Sequence, residues 1–134
     1  TMNQPLIKKD LRIQADQQVQ SSFLIERFDI PPTSCRKLVI DIIPSSRDLA
    51  LDCLLIYDSH SNVRAQYRHV RGPKHIVIGE EEIESSTGTV PGPLPTGEWV
   101  MVMRSHSQAL EPSCAYRYEI TAQVQEALIG DQEN

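Results

Sequence analysis

The segment Pro91–Trp99, with the sequence PGPLPTGEW, constrains the fold of this chain more than any other. Three prolines and two glycines occur among its first seven residues. Proline lacks an amide donor and fixes φ, so this segment cannot pair regularly in a sheet and is predicted to form a shaped loop. Side chains alternate along a strand, so in the residues that follow Trp99, Met101 and Met103 share one face. The pattern predicts a loop leading into a β-strand that carries the single tryptophan into the core.

Most other apolar segments are short and alternate with a period of two residues, with turn-forming residues between them. We therefore predict an all-β protein, an antiparallel β-sandwich that is jelly-roll-like and has about eight strands. The predicted strands are Leu6–Ile13, Phe23–Ile30, Lys37–Ile43, Leu49–Asp58, Val63–His69, Ile76–Ile78, Glu98–Arg104 and Ala115–Gln125. The connection Gly79–Gly97 is unusually long, and one helical turn is predicted within it at Glu80–Ile83.

Alternation also assigns the faces of these strands. The strand Leu49–Asp58 is the most apolar, so we expect both of its faces to be buried, with Leu51, Cys53 and Leu55 together on one. In the strand Val63–His69, the side chain of Arg64 is expected to point into water. The residues expected to face the core are Leu38, Ile40 and Ile42 in the third strand, Val63, Ala65 and Tyr67 in the fifth, and Tyr116, Tyr118, Ile120, Ala122 and Val124 in the last.

A length of 134 residues fits one domain with one core. We assign residues 1–125 to the β-sandwich domain and residues 126–134 to a polar tail or a linker to a missing C-terminal domain. No apolar run approaches the ~20 residues that span a bilayer, so no membrane partner is predicted. The first residues lack the basic and apolar segments of a signal peptide. This predicts a cytoplasmic protein, or a secreted one whose signal peptide has been removed.

The charge of the chain argues against nucleic acid as a partner. The formal net charge is −5, whereas phosphate binding requires a basic surface. One local basic stretch occurs and is interpreted as a solvated face, with anion binding as the alternative. It consists of Arg64, Arg68, His69, Arg71, Lys74 and His75.

Cysteine usage favours a reducing compartment. The three cysteines, Cys35, Cys53 and Cys114, are odd in number and lack the Cys-x-x-Cys spacing, so we predict free thiols. The alternative is a disulfide between Cys35 and Cys114, which the distance between them decides.

The residues do not form a recognisable catalytic set, and no cofactor is predicted. Asp58 and His60 are two residues apart at a strand end and could hold a metal, but the composition of residues 58–62 equally predicts a hairpin turn. An acidic run could surround Ca²⁺, although its spacing does not match an EF-hand loop and such runs are usually solvated. This run comprises Glu80, Glu81, Glu82 and Glu84.

Four segments carry a resemblance to a known family. They are Phe28–Pro32 (FDIPP), Leu38–Asp41 (LVID), Leu54–Arg64 (LLIYDSHSNVR) and Pro91–Trp99. In this order they resemble the β-sandwich domain that precedes the catalytic domain in bacterial phosphoesterases of the polymerase-and-histidinol-phosphatase (PHP) superfamily. The catalytic domain of that family binds metal ions through a His-x-His motif, which this sequence lacks. The resemblance therefore implies a non-catalytic accessory domain whose partner is a PHP-type catalytic domain in the same chain or complex.

The proline segment is the candidate contact surface for such a partner, because a proline-stiffened loop loses little entropy on docking. The residues concerned are Pro91, Pro93, Leu94, Pro95 and Trp99. The alternative is that the prolines only end strands and protect a sheet edge. Such a domain would alternatively shape substrate access or self-associate into a homo-oligomer. The alternative function is a free-standing carbohydrate- or ligand-binding β-sandwich, which would present exposed aromatic side chains on a concave face.

Overall fold

A computed structural model of the chain describes residues 2–14, 21–32, 34–44, 50–106 and 113–124. These residues form eight β-strands and one short 3₁₀ turn at Glu82–Glu84. The strands are β1 (Met2–Gln14), β2 (Ser21–Ile30), β3 (Cys35–Pro44), β4 (Ala50–Tyr57), β5 (Val63–Arg71), β6 (Lys74–Gly79), β7 (Gly97–His106) and β8 (Ser113–Val124). The eight strand predictions and the predicted helical turn are thus confirmed in position. The tail assigned to residues 126–134 lies outside the described residues.

The strands form two antiparallel sheets of four strands each, and their order is that of a jelly roll. The first sheet has the order β1-β8-β3-β6 and the second the order β2-β7-β4-β5. The chain changes sheet at every connection except the β4–β5 hairpin, so it winds back and forth between the two layers. The predicted jelly-roll-like β-sandwich is confirmed. Among the described residues there is no helix long and apolar enough to cross a membrane.

The core lies between the two sheets. Trp99, Met101 and Met103 are each 0% exposed, which confirms their shared inward face. The inward residues predicted for β3 and β8 are also buried, namely Leu38, Ile40, Ile42, Tyr118, Ile120, Ala122 and Val124, while the side chain of Tyr116 lies outside the described set. A polar contact crosses this core, where the Tyr118 hydroxyl donates to Glu26 Oε1 at 2.6 Å. Burial and the neighbouring Glu26 carboxylate raise the pKa of Tyr118.

The predicted faces of β4 and β5 are partly wrong, because the pairing of each strand contains an irregularity. The pairing of β4 shifts between Leu51 and Cys53, so Leu51 joins the core at 1% exposed while Cys53 lies half-buried on the opposite face. The prediction that Leu51, Cys53 and Leu55 share a face is therefore wrong. A second shift skips Arg64 in the pairing of β5. As a result Val63 is 40% exposed and Arg64 is buried, the reverse of the prediction.

The cysteines do not form the alternative disulfide. Cys35 is a buried free thiol, and its backbone lies opposite Val124 at one end of β8. Cys114 lies ten residues earlier on that strand, opposite Ile13. At about 3.3 Å per residue this separates the two cysteines by roughly 33 Å, far beyond the ~7 Å limit between bridged Cα atoms.

Candidate functional site

The connection of residues 80–96, called the proline loop below, lies across one edge of both sheets. On β6, the Ser86 amide donates to the Val77 carbonyl at 2.9 Å and the Gly92 amide donates to the Gly79 carbonyl at 3.1 Å. On β5, the Gln66 amide donates to Gly88 at 3.0 Å. The proline loop therefore satisfies backbone groups of two edge strands and covers those edges.

The β4–β5 turn provides an anchor for this loop. The carboxylate of Asp58 accepts hydrogen bonds from the amides of His60 at 2.9 Å and Asn62 at 3.0 Å, and Ser61 adopts a φ of 64°. Burial alone would raise the pKa of Asp58, but these two amides and the Arg64 guanidinium together lower it below its usual value. The carboxylate is therefore ionised and fully engaged within the turn.

Arg64 connects the turn to the proline loop. Its Nη1 lies 3.3 Å from Asp58 Oδ2, and the arginine side chain is only 5% exposed. The guanidinium also donates to the carbonyls of Val90 at 2.9 Å, Gly92 at 3.0 Å and Pro93 at 2.8 Å. It lies above the Trp99 ring, 5.3 Å from the ring centroid. One buried cation thus fixes three successive parts of the loop.

Two further hydrogen bonds hold the end of the proline loop. Trp99 Nε1 donates to the Pro95 carbonyl at 2.9 Å, and Ser59 Oγ donates to the Thr96 carbonyl at 2.7 Å. Of the five predicted contact residues, Pro93 is exposed, Pro91 and Pro95 are half-buried, and Leu94 and Trp99 are 7% and 0% exposed. Leu94 and Trp99 therefore support the loop from beneath and present almost no surface to a partner.

The candidate metal ligands are engaged elsewhere. Asp58 binds Arg64, and His60 is exposed on the turn. In the acidic run, Glu80 pairs with Arg36 at 3.5 Å and Glu84 with Lys37 at 3.8 Å. Within the described part of the chain, no three His, Cys, Asp or Glu side chains converge as metal ligands.

The basic stretch does not form one surface. Arg64 is buried, whereas Arg68, His69 and Arg71 are exposed on β5. Lys74 Nζ lies 4.2 Å from the centroid of the Tyr67 ring. His75 pairs with Asp41 on the first sheet. The interpretation as one solvated face therefore fails for Arg64, because the register shift in β5 directs it beneath the proline loop.

The outward surface of the second sheet is unusually apolar, and we call it the outer apolar face. It comprises Ile25, Leu55, Tyr57, Val100 and Val102. Ile25 is 59% exposed and the other four are half-buried. They are neighbours by register, since Val102 lies opposite both Ile25 and Leu55, and Val100 lies opposite Tyr57. Two ion pairs border them, Arg27–Glu98 at 3.1 Å and Arg104–Asp52 at 3.9 Å.

Two shallow depressions connect this face to the proline loop. The first, of about 580 Å³, is lined by four residues of the outer apolar face, Ile25, Tyr57, Val100 and Val102, together with Arg27, Glu98, Ser59 and Ser61. The second, of about 560 Å³, lies between the β4–β5 turn and residues 90–95 of the proline loop. Asp58 lines both. The turn therefore separates two neighbouring concavities, one mainly on the sheet and one on the loop.

Comparisons with known proteins give likenesses of structure only. No protein-family model matches the sequence, and no curated protein matches it. One similar solved structure is TmCBM61 in complex with β-1,4-galactotriose, with 11% identity and a TM-score of 0.45 over 92% of this chain and 69% of that one. Another is the infectious bursal disease virus Gx strain, with 12% identity and a TM-score of 0.45 over 90% of this chain and 30% of that one. A third is black queen cell virus, with 9% identity and a TM-score of 0.42 over 92% and 70%.

Proposed function

We propose that this chain is a non-catalytic accessory domain that packs against the catalytic domain of a PHP-type phosphoesterase. The observation that carries the proposal is the outer apolar face, where the two central strands β4 and β7 present Leu55, Val100 and Val102 to the outside. A central strand of an antiparallel sheet with one solvated face normally carries polar residues there. Contiguous exposed apolar side chains bordered by charged ones mark a protein contact.

The preformed shape of the neighbouring loop supports the same proposal. Because Arg64 and Trp99 fix the proline loop by hydrogen bonds to Val90, Gly92, Pro93 and Pro95, little conformational entropy remains to be lost on docking. The exposed Pro93 then forms the rim of the contact surface. The PHP-type identity of the partner rests on the resemblance of the four sequence segments described above.

The test is binding between this chain and the PHP-type catalytic domain encoded in the same or a neighbouring reading frame, measured by titration calorimetry. We expect saturable one-to-one binding. Val102→Lys places a charge at the centre of the outer apolar face and should weaken binding by about 100-fold or more, the range of a hot-spot substitution. The control is Ile43→Lys, which introduces the same charge at a residue 49% exposed on the first sheet.

Circular dichroism verifies that both variants are folded before they are compared. Equal binding by Val102→Lys and Ile43→Lys would show that the outer apolar face is not the contact. Absence of a PHP-type catalytic domain from both reading frames would remove the partner itself.

A carbohydrate-binding function is the second candidate, and Tyr57 is the observation in its favour. Tyr57 lines the 580 Å³ depression beside Arg27, Glu98, Ser59 and Ser61. Sugar-binding sites combine an aromatic ring, on which the sugar stacks, with polar groups that bond to its hydroxyls. The other tyrosine and tryptophan side chains that the structure describes do not extend this platform, since Trp99 and Tyr118 are buried and the Tyr67 hydroxyl bonds to the Thr87 carbonyl. Binding to an oligosaccharide array that Tyr57→Ala abolishes would favour this candidate over the docking function.

A further inference from the structure

The four edge strands of the sandwich differ in how they are protected from pairing with another chain. The edges are β1 and β6 in the first sheet and β2 and β5 in the second. The proline loop covers backbone groups of β5 and β6. β1 contains Pro5, and its pairing with β8 is irregular between Pro5 and Ile7. Proline, irregular pairing and a covering loop are devices that keep a sheet edge from pairing with another chain.

Within the described residues, β2 carries none of these devices. Its ten residues Ser21–Ile30 contain no proline, and its register with β7 runs without interruption from Ser21 to Ile30. Among the described residues no strand pairs with its other side. Near its midpoint it presents Ile25, which is 59% exposed at the margin of the outer apolar face.

Two of the three charged residues of β2 already have partners within the monomer. Arg27 forms an ion pair with Glu98 on the neighbouring strand at 3.1 Å. Glu26 points inward, where it is 9% exposed and accepts the hydroxyl of Tyr118. An inward charge protects an edge when pairing would bury it. Because Glu26 is already buried and hydrogen-bonded, pairing at this edge adds little further cost of desolvation.

We propose that β2 is a homodimerisation edge, at which the β2 strands of two copies pair antiparallel about a two-fold axis at Ile25. This joins the two second sheets into one continuous sheet of eight strands and makes the two outer apolar faces adjacent. The inference goes beyond the proposed docking function and does not depend on it.

The sequence of β2 allows this register. With the axis at Ile25, Arg27 lies opposite residue 23, Asp29 opposite residue 21 and Ile25 opposite its own copy, so no like charges meet. An axis at Glu26 or Arg27 would instead place two identical charges opposite each other, which destabilises a strand pair. A shift by half a residue would bring inward side chains of one copy beside outward side chains of the other. An axis at Phe28 would pair Arg27 with Asp29 but would place Ile25 opposite Pro31, beyond the end of β2. A second copy therefore fits this edge about Ile25, where the exposed apolar side chain meets its own copy and like charges do not face each other.

Sedimentation velocity over a range of concentrations tests the inference. We expect the chain to sediment as a dimer with twice the 15.1 kDa mass of one copy. Ile25→Lys places two lysines together at the axis and should raise the dimer dissociation constant about tenfold or more. Ile43→Lys, with the same substitution on the first sheet, should leave the dimer unchanged. A monomer at all concentrations, or a dimer indifferent to Ile25→Lys, would overturn the proposal.

A cysteine experiment tests the register independently of stability. Ile25→Cys places two thiols across the axis, at a Cα separation of about 4.5–5.5 Å that suits a disulfide. In Arg27→Cys, the two introduced cysteines are offset by four residues along paired strands, or roughly 13 Å, and should not crosslink. Mild oxidation should therefore give covalent dimers for the first variant alone. Equal crosslinking of both variants, or of neither, contradicts pairing about Ile25. Neither experiment involves a catalytic domain, so its outcome is separate from that of the docking test.

Discussion

Asp58 Oδ2 and Arg64 Nη1 lie 3.3 Å apart with their side chains only 4% and 5% exposed, although the two residues flank a surface turn. A buried charge is tolerated when it is paired and its remaining hydrogen-bonding capacity is satisfied. Here three further donors of the guanidinium bond to carbonyls of the proline loop, and the carboxylate also accepts hydrogen bonds from two amides of the turn. The pair therefore joins the β4–β5 turn to the loop that covers the edges of both sheets.

We expect Arg64→Ala to lower the free energy of unfolding by about 3–5 kcal/mol, because it leaves the Asp58 carboxylate buried without its cation. Arg64→Lys should recover little of this loss, since a single ammonium cannot reach Asp58 and the carbonyls of Val90, Gly92 and Pro93 together. Urea denaturation measures both effects. Arg68→Ala, which removes an exposed arginine from the same strand, is the control and should leave the urea midpoint unchanged. Full recovery of stability by Arg64→Lys would contradict a role for the guanidinium geometry.

The lowered pKa of Asp58 predicts a loss of stability in acid. An unfolded aspartate titrates near pH 3.9, so a lowered folded pKa means that the stabilisation is present above about pH 4 and is lost as the pH falls through the folded value. The free energy of unfolding should therefore decline more steeply between pH 5 and pH 3 in the natural chain than in Asp58→Asn. Urea denaturation at several pH values measures the two slopes. Identical slopes would show that Asp58 does not titrate abnormally.

The sequence predicts the strands of this fold well because the period of two is preserved in most of them. The alternation of Trp99, Met101 and Met103 places β7 correctly against the core. Leu51 and Arg64 are assigned to the wrong sides because each lies next to a shift in strand pairing. A shift of one residue reverses the faces beyond it, and apolar periodicity does not reveal where a strand partner skips a residue.

The sequence predicts the candidate site only in part, because the site also depends on how the strands are arranged. Val100 and Val102 are apolar on the face opposite Trp99, a pattern that fits either a strand buried on both faces or an apolar outer surface. The choice depends on whether another layer covers that face, which the order of strands in the sheet decides. The link between Asp58 and the proline loop through Arg64 likewise joins segments about 30 residues apart, and no local spacing indicates it.

Burial raises the pKa of the Cys35 thiol to about 11, which predicts that Cys35 reacts slowly with thiol reagents in the folded protein. Cys53 is half-buried on the outward side of β4 and should react faster. Brief alkylation with iodoacetamide at pH 8, followed by mass spectrometry of the peptides, measures each site separately. In urea the two sites should react at similar rates. Rapid native alkylation at Cys35 would mean that its surroundings open more readily than the structure indicates.

Gly88 provides a test of how tightly the proline loop fits the sheet. It has a φ of +92°, and a Cβ added there would lie 2.5 Å from Cε1 of Tyr67. Gly72 also has a positive φ, +71°, but no atom lies within 4 Å of the position of its Cβ. Both alanine variants therefore suffer the backbone strain of about 1–2 kcal/mol, whereas Gly88→Ala alone also collides with a side chain.

We expect Gly88→Ala to reduce the free energy of unfolding by about 1–3 kcal/mol more than Gly72→Ala does, the range for an overpacked contact. Tyr67 is held in place by its hydroxyl, which donates to the Thr87 carbonyl at 2.7 Å, so the ring cannot move away without breaking that bond. In a Tyr67→Ala background the collision is absent, and Gly88→Ala should then cost no more than Gly72→Ala. Urea denaturation of four variants measures these effects: Gly72→Ala, Gly88→Ala, Tyr67→Ala and the double variant of Tyr67→Ala with Gly88→Ala. If Gly88→Ala lowers the free energy of unfolding by the same amount without the Tyr67 ring, the collision with Tyr67 is not the reason for glycine at residue 88. The positive φ of the backbone would then be the reason.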